Sequence, residues 1–326
     1  MGKKNDDIKK LLTSLEKKYS VKRASDIIVE KRIRTGIYSL DYVLSGGISD
    51  VEGGHRIEFF GGESSCKTTT ALYVIKKYQE LGKTCVFIDG ENSYDADWAK
   101  IIGVNNDNLI VVTPESLEQA GDLFVQLIPQ VDLIVIDSIV SMIPSDEIDR
   151  DTDEPTMALQ ARINALITRK IYKAIGDRKT TMIFINQLRE KVGVMYGNPE
   201  TTGGGRALKH LYNTRIQFRA GKPIDIGSGD KKERIGMEIH LKAVKNKKGT
   251  PYKTAVCDFY YDGSFDNKKA IFFSALKIGI IQLNGRTYTY GDLQVVGKDN
   301  FLQTFDDWES LQEEIWKYQE NKQEKE

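Results

Sequence analysis

Cysteine is scarce in this 326-residue sequence: Cys66, Cys85 and Cys257 stand far apart, form no C-x-x-C pair and have no histidine cluster beside them. That pattern argues against a disulfide scaffold or a structural zinc site and fits a reducing compartment. Long apolar runs are missing as well. The most apolar window, 133–143, carries Asp137 and is too short to span a bilayer. No apolar stretch follows the opening MGKKNDD, so no signal peptide is expected, and the reading is of a soluble cytoplasmic protein without membrane partners. Net charge is the third absence, with 47 Lys+Arg against 47 Asp+Glu. A nucleic-acid binder usually shows a basic excess. Here, however, the zero is a cancellation. Residues 85–155 hold 16 acidic and 2 basic side chains, whereas 188–253 hold 15 basic and 6 acidic, and 1–34 hold 11 basic and 5 acidic. Basic segments are therefore available to a polyanion, and opposed blocks suit head-to-tail contacts between copies.

What is present is globular, with 40% hydrophobic and 29% charged residues over a length that suits about two domains, or one large domain with appendages. Ile8, Leu11, Leu12 and Leu15 form one stripe of a short helix that packs either on its own domain or on another subunit. The basic stretch 22–34 follows. From residue 55 the pattern alternates. Strands are predicted at 55–60, 84–89, 109–112, 131–137 and 181–186, with helices at 68–81, 97–102, 115–128 and 157–175. Apolar strands alternating with helices predict a mainly parallel sheet covered on both faces. Further strands at 215–219, 236–245 and 255–261 lack intervening helices. A smaller C-terminal region starts near 270 and ends in a Glu-rich helix. The resulting division is 1–34, an N-terminal helix and basic linker; 35–269, the core; and 270–326, a small α+β lobe.

The chemistry begins at Gly61-Gly62-Glu63-Ser64-Ser65-Cys66-Lys67-Thr68, with Thr69 next, between a strand and a helix. That is the setting of a phosphate loop. Backbone N–H groups and the helix N-terminus cradle phosphates, Lys67 reaches the β/γ-phosphates, and Thr68 holds Mg²⁺. Cys66 stands where the motif has its second glycine. A left-handed backbone there costs a non-glycine residue about 1–2 kcal/mol, whereas a right-handed one accommodates it. Cys66, beside Lys67 at a helix N-terminus, is also expected to have a lowered pKa and to react with thiol reagents. Asp137 ends an apolar strand, where a second Mg²⁺ ligand belongs, and Glu91 follows the strand ending at Asp89, in place to activate water. A capping role for Asp137 and a solvated turn at Glu91 are the simpler alternatives.

Gly62-Glu63-Ser64-Ser65, Phe87-Ile88-Asp89-Gly90-Glu91 and Ile136-Asp137-Ser138 resemble the nucleotide-site motifs of the RecA family of recombinases. Phe184-Ile185-Asn186-Gln187-Leu188-Arg189 and the following Gly193-Val194-Met195-Tyr196-Gly197-Asn198-Pro199-Glu200-Thr201-Thr202 resemble that family's second DNA-binding loop. Val244-Lys245-Asn246-Lys247 resembles its paired-lysine motif. The likeness runs from the N-terminal helix to about residue 290. It implies a RecA-like P-loop ATPase core that uses ATP and Mg²⁺. It also implies that Gln187 senses the γ-phosphate and that Lys245 and Lys247 reach the ATP of a neighbouring subunit, with Asp95 and Trp98 at the adenine. On residues alone Trp98 is equally well plain core, and the two lysines a solvated strand edge.

The resemblance places DNA contacts at Met157, Arg162 and Arg169, after an acidic stretch at 146–156. Arg162 and Arg169 are seven apart and so share one helix face. The second loop supplies Arg189, Lys191, Met195, Tyr196, Gly197, Asn198 and Arg206, a basic segment rich in glycine with one aromatic to wedge between bases. Its glycines predict disorder without DNA. Two departures, Cys66 and a shortened C-terminal lobe, suggest a phage-encoded or otherwise divergent member acting in a host cytoplasm. The expected protein is an ATP-dependent recombinase. It forms helical filaments on single-stranded DNA, pairs them with double-stranded DNA and meets single-strand-binding and loader proteins. The rivals are a non-hydrolysing DNA-binding filament or regulatory paralogue and a hexameric helicase on the same core.

Overall fold

The computed structural model describes residues 8, 10–15, 31–148, 157–190 and 200–323, with backbone alone at 148, 157–158, 189–190, 200, 230 and 322–323. The chain divides into two compact units, Met1–Lys31 and Arg32–Glu326. In the first, the described residues 8 and 10–15 are helical, as their stripe predicts.

The second unit opens with β1 (Arg32–Ile33), α1 (Tyr38–Val43) and β2 (Ile48–Ser49), the two strands pairing antiparallel. Strand and helix then alternate through β3 (Arg56–Gly61), α2 (Lys67–Glu80), β4 (Cys85–Asp89), α3 (Ala96–Ile102), β5 (Leu109–Val112), α4 (Leu117–Leu127) and β6 (Leu133–Asp137). Next come α5 (Ser145–Ile148), α6 (Met157–Ile175), β7 (Thr181–Glu190), β8 (Glu200–Thr202) and α7 (Gly205–Leu211). The strands β9 (Thr214–Ile226), β10 (Glu233–Asn246), β11 (Thr254–Tyr260) and β12 (Phe265–Asp266) follow without a helix between them. The C-terminal lobe consists of α8 (Lys268–Ile278), the antiparallel sheet β13 (Gln282–Asn284), β14 (Thr287–Tyr290) and β15 (Leu293–Val296), and the helices α9 (Lys298–Thr304) and α10 (Trp308–Gln323).

One large sheet carries the unit in the order β12-β11-β10-β9-β3-β7-β6-β4-β5, with β8 paired to β7. The six strands from β9 to β5 are parallel and the β10–β12 extension is antiparallel, so the mainly parallel α/β expectation holds. β4 and β6 are buried along their whole length, which is what their apolar runs require of strands covered on both faces, and β3 is buried throughout although it carries Arg56 and Glu58. Ile57, Phe59, Ile183 and Phe218 face α1, α2 and α3 on one side. Val86, Ile136 and Phe184 face α4, α6 and α7 on the other, with Tyr212 at the end of α7 in the same cluster. The lobe has its own apolar cluster, in which Phe272, Phe301 and Trp316 pack with Tyr38 of α1. Local chemistry sets the helix ends. Asp95 caps α3 by accepting from Trp98 N at 2.9 Å, and Ser116 caps α4 by accepting from Gln119 N at 3.2 Å.

Three segments exceed their sequence-based bounds. β7 continues to Glu190 because β8 gives it a partner, Arg189 opposite Thr201, and β9 and β10 support each other out to Ile226 and Glu233. A helix, α7, also stands within what reads as a glycine-rich loop. No described helix is long and apolar enough to cross a membrane.

Candidate nucleotide site and DNA-facing surface

Parallel register brings the C-terminal ends of the central strands together: Gly61 lies beside Gln187, and Asp89 beside Asp137. The loop from Gly61 to Cys66 leaves β3 there and turns into α2. Gly61 cannot carry a side chain, since a Cβ would meet Phe218 O at 2.2 Å. Ser65 Oγ donates to Gly62 O at 2.8 Å, and Lys67 Nζ donates to the same carbonyl at 2.6 Å, drawing the ammonium over the loop. Burial lowers the Lys67 pKa, although Asp137 and Glu91 favour its charge.

Cys66 is the N-cap of α2 with φ +62°. The position thus demands the left-handed backbone for which the motif keeps glycine, and the thiol side chain is strained there. The lowered pKa expected of it is not found. Burial pushes the Cys66 thiol up to about 12, outweighing the attraction of Lys67 for a thiolate.

Thr68 Oγ1 donates to Asp137 Oδ2 at 2.6 Å. Burial raises the Asp137 pKa to about 6, with the Thr68 bond opposing it. Two hard oxygen donors at the mouth of a phosphate loop fit Mg²⁺, which takes few protein ligands and fills its remaining positions with water and phosphate oxygens. No cluster of three or more His, Cys, Asp or Glu residues that could hold a metal occurs among the described residues. Asp89 is buried and accepts from the backbone of Glu91, Ser93 and Tyr94 at 3.3, 3.1 and 2.8 Å, folding the turn that presents Glu91. Glu91 Oε1 in turn accepts from Ser138 Oγ at 2.8 Å. Ser138 belongs to the Ile136-Asp137-Ser138 motif, which gave it no role of its own; its place directly after Asp137 was the available signal.

Trp98 is half-buried, and its indole Nε1 donates to Thr69 Oγ1 at 3.2 Å, which sets the ring beside the start of α2. Asp95 Oδ1 makes the α3 cap. The turn at Gly263, whose carbonyl accepts from Tyr73 at 2.8 Å, lies against Trp98 and was not anticipated.

Lys245 and Lys247 are not at this site within one chain. Lys245 pairs with Arg215, itself level with Glu58 and three residues short of Gly61. Its Nζ donates to Lys209 O of α7 at 2.7 Å, on the sheet face opposite α2. Burial, with Lys247 and Arg215 nearby, holds the Lys245 pKa at about 8.

Arg162 and Arg169 are both exposed on α6, and Arg206 is exposed on α7. The two helices meet where Asn164 Nδ2 donates to Gly204 O at 3.3 Å. Met157 and Arg189 are placed by backbone only, in α6 and β7. Lys191, Met195, Tyr196, Gly197 and Asn198 lie outside the described residues, as do the acidic residues 149–156 and the disorder expected at the second loop.

The family model of the RecA N-terminal domain matches residues 7–266. The chain is similar to Protein RecA of Lactococcus lactis subsp. cremoris (strain MG1363), 40% identical over 265 residues that cover 81% of this chain and 68% of the relative. It is also 40% identical to Protein RecA of Clostridium acetobutylicum over 84% of this chain and 78% of that one. Protein RecA of Rickettsia bellii (strain OSU 85-389) is 39% identical over 87% and 82% respectively.

Proposed function

Because the chain belongs to the RecA family, we propose that it works as an ATP-dependent recombinase that assembles on single-stranded DNA and pairs that strand with a homologous duplex. The observation that carries this reading is the meeting of Lys67, Thr68, Asp137 and Glu91 at the strand ends beside Gln187. The loop from Gly61 to Thr69 cradles the phosphates of ATP, with Lys67 neutralising their charge and Trp98 and Asp95 flanking the base. Thr68 and Asp137 would hold Mg²⁺, which would supply positive charge to the phosphate oxygens. Glu91, held by Ser138, accepts the proton of the attacking water. Gln187, one strand over from Gly61, senses the γ-phosphate.

Lys245 and Lys247 serve the site of the next copy. Their own chain points Lys245 away from its phosphate loop, so a second chain must present its loop to them, and filament growth completes each site. Arg162, Arg169 and Arg206, with Met157, Arg189 and the 191–198 segment, contact mainly the DNA backbone and leave sequence reading to base pairing. Single-strand-binding and loader proteins are its expected partners, in the cytoplasm of the cell or phage host.

Electron microscopy of the protein with single-stranded DNA, Mg²⁺ and a non-hydrolysable ATP analogue, followed by a strand-exchange assay with ATP, tests the reading. Helical filaments and exchanged product are expected. Closed rings, or no assembly and no exchange, would overturn it.

A further inference from the structure

The turn that follows β10 carries Lys247 and is gripped by several distant segments. Lys247 N donates to Asn213 O, just ahead of β9, at 2.9 Å. The buried Asn246 side chain accepts from Lys248 N at 3.0 Å and from Thr214 Oγ1 at 3.2 Å, and its Nδ2 donates to Val43 O of α1 at 3.4 Å. Thr250 N donates to Ser45 Oγ at 3.1 Å, and Gly249 comes so close that a Cβ would meet Ser45 Cβ at 2.6 Å. The remaining grip is Arg32. Its Nη1 donates to Leu44 O at 3.0 Å and Gly47 O at 3.3 Å, and its Nη2 donates a short hydrogen bond to Lys248 O. The main chain is thus fixed on both sides of Lys247, while the Lys247 side chain is exposed.

Capping alone does not account for Arg32. A helix end leaves carbonyls without partners, and a basic side chain satisfies them. Leu44 O and Gly47 O, at and just past the end of α1, fit that description. Lys248 O does not. It lies 216 positions further along the chain, on a turn whose Lys247 and Lys248 carry the same charge as Arg32. A guanidinium offers five donors in a rigid fork and so holds two segments at once, whereas an ammonium acts as a point charge. Arg32 is itself well founded. It opens the second unit as the first residue of β1, opposite Ser49 of β2.

We propose that Arg32 is the positioning residue for Lys247, fixing the turn so that this lysine reaches the nucleotide held by the next copy of the chain. The inference rests on the reading of Lys245 and Lys247 as acting on a neighbour, and it names what aims one of them. Without Arg32 the turn keeps its bonds to Asn213, Thr214 and Val43 but loses its anchor at Lys248. Lys247 then samples several directions, and the loss of orientation is felt at the neighbour's site rather than at the chain's own phosphate loop.

Mixing experiments test this with Arg32→Ala, and with Arg32→Lys as a milder variant that keeps the charge without the fork. Both lose bonds at the end of α1 and should melt earlier than wild type, so stability is not the readout. Turnover is measured well below the melting temperature, after titration with a fluorescent ATP analogue without DNA has shown wild-type affinity. DNA-stimulated phosphate release by Arg32→Ala should fall about tenfold. In an equal mixture with Lys67→Ala, whose Lys247 is properly held, the rate should rise to about a quarter of wild type. In an equal mixture with Lys247→Ala it should instead drop to about half the rate of Arg32→Ala alone. Arg32→Lys should follow the same pattern with a smaller initial loss, and it carries the comparison if Arg32→Ala does not fold. A variant that is merely unstable would be halved by either partner. That outcome would overturn the proposal, as would wild-type turnover in Arg32→Ala. If Lys67→Ala and Lys247→Ala regain nothing when mixed with each other, the reading of the lysine as serving a neighbour falls, and the role of Arg32 with it.

Discussion

Ser138 Oγ donates to Glu91 Oε1 at 2.8 Å, and Ser138 follows Asp137 directly in the chain. One strand end therefore supplies both the carboxylate that bonds Thr68 and the hydroxyl that steers Glu91. Glu91→Gln should lower DNA-stimulated ATP turnover about a hundredfold or more while leaving nucleotide affinity intact, as expected for loss of a general base. Ser138→Ala should lower turnover about tenfold by letting the carboxylate swing, the cost of roughly one hydrogen bond to a charged group. Steady-state phosphate release and analogue titration separate the two effects. Wild-type turnover in Ser138→Ala would remove the steering role.

The left-handed backbone at Cys66, φ +62°, makes a ranking of substitutions. Glycine relieves strain of about 1–2 kcal/mol but gives back part of it through greater freedom in the unfolded chain. Cys66→Gly should thus be as stable as wild type or up to about 1 kcal/mol more so. Alanine should match cysteine, and β-branched Cys66→Val should lose at least about 1 kcal/mol. Urea unfolding checks the order, and a valine variant as stable as glycine would contradict it.

His55 joins three strands as a neutral ring. Ser49 N donates to its Nδ1 at 3.1 Å, so Nε2 carries the proton and donates to Thr214 Oγ1 at 2.8 Å. Burial, with Lys248, Arg32 and Arg56 nearby, holds its pKa well below 6.5. Only the unfolded chain takes up this proton as the medium acidifies. The stability that depends on neutral His55 is present above pH 6.5 and declines below it, by at most about 1.4 kcal/mol per pH unit. Urea midpoints at pH 7.5, 6.5 and 5.5 should fall less steeply in His55→Gln than in wild type. Parallel slopes would rule the group out.

Lys67 and Lys245 belong to different sites if Lys245 acts on a neighbour. Lys67→Ala and Lys245→Ala should each abolish turnover alone, yet a mixture in equal parts should regain activity at about a quarter of its junctions. Those junctions combine the intact loop of one variant with the intact lysine of the other. If Lys245 acted within its own chain, no mixing ratio would restore phosphate release.

Much of this arrangement was legible in the residues. Unbroken apolar runs ending in Asp89 and Asp137 give buried parallel strands with acids at one end, because a covered sheet leaves only its strand ends open to a ligand. The glycine at 61 and the lysine at 67 mark the loop between them. Other features had no local signature. Glu58 accepts a hydrogen bond from Arg215, 157 positions away, and reads like any polar residue in a half-exposed strand. α7 is masked by the glycines before it, although Leu208, Leu211 and Tyr212 give it a buried side. The outer parts of β9 and β10 alternate little, since each is supported by the other strand rather than by a core. The direction of the Lys245 side chain depends on a bulge between Ala243 and Lys245, which no periodicity reveals.

That direction has an arithmetical consequence. A chain whose phosphate loop and Lys245 serve different partners carries two halves of a site and no whole one. Working sites then number one fewer than the chains in any open row. Short assemblies are penalised out of proportion: a pair has one site for two molecules, while a long row approaches one each. Specific activity should therefore climb with row length at constant protein, and the DNA strand that templates the row would act as an activator simply by lengthening it.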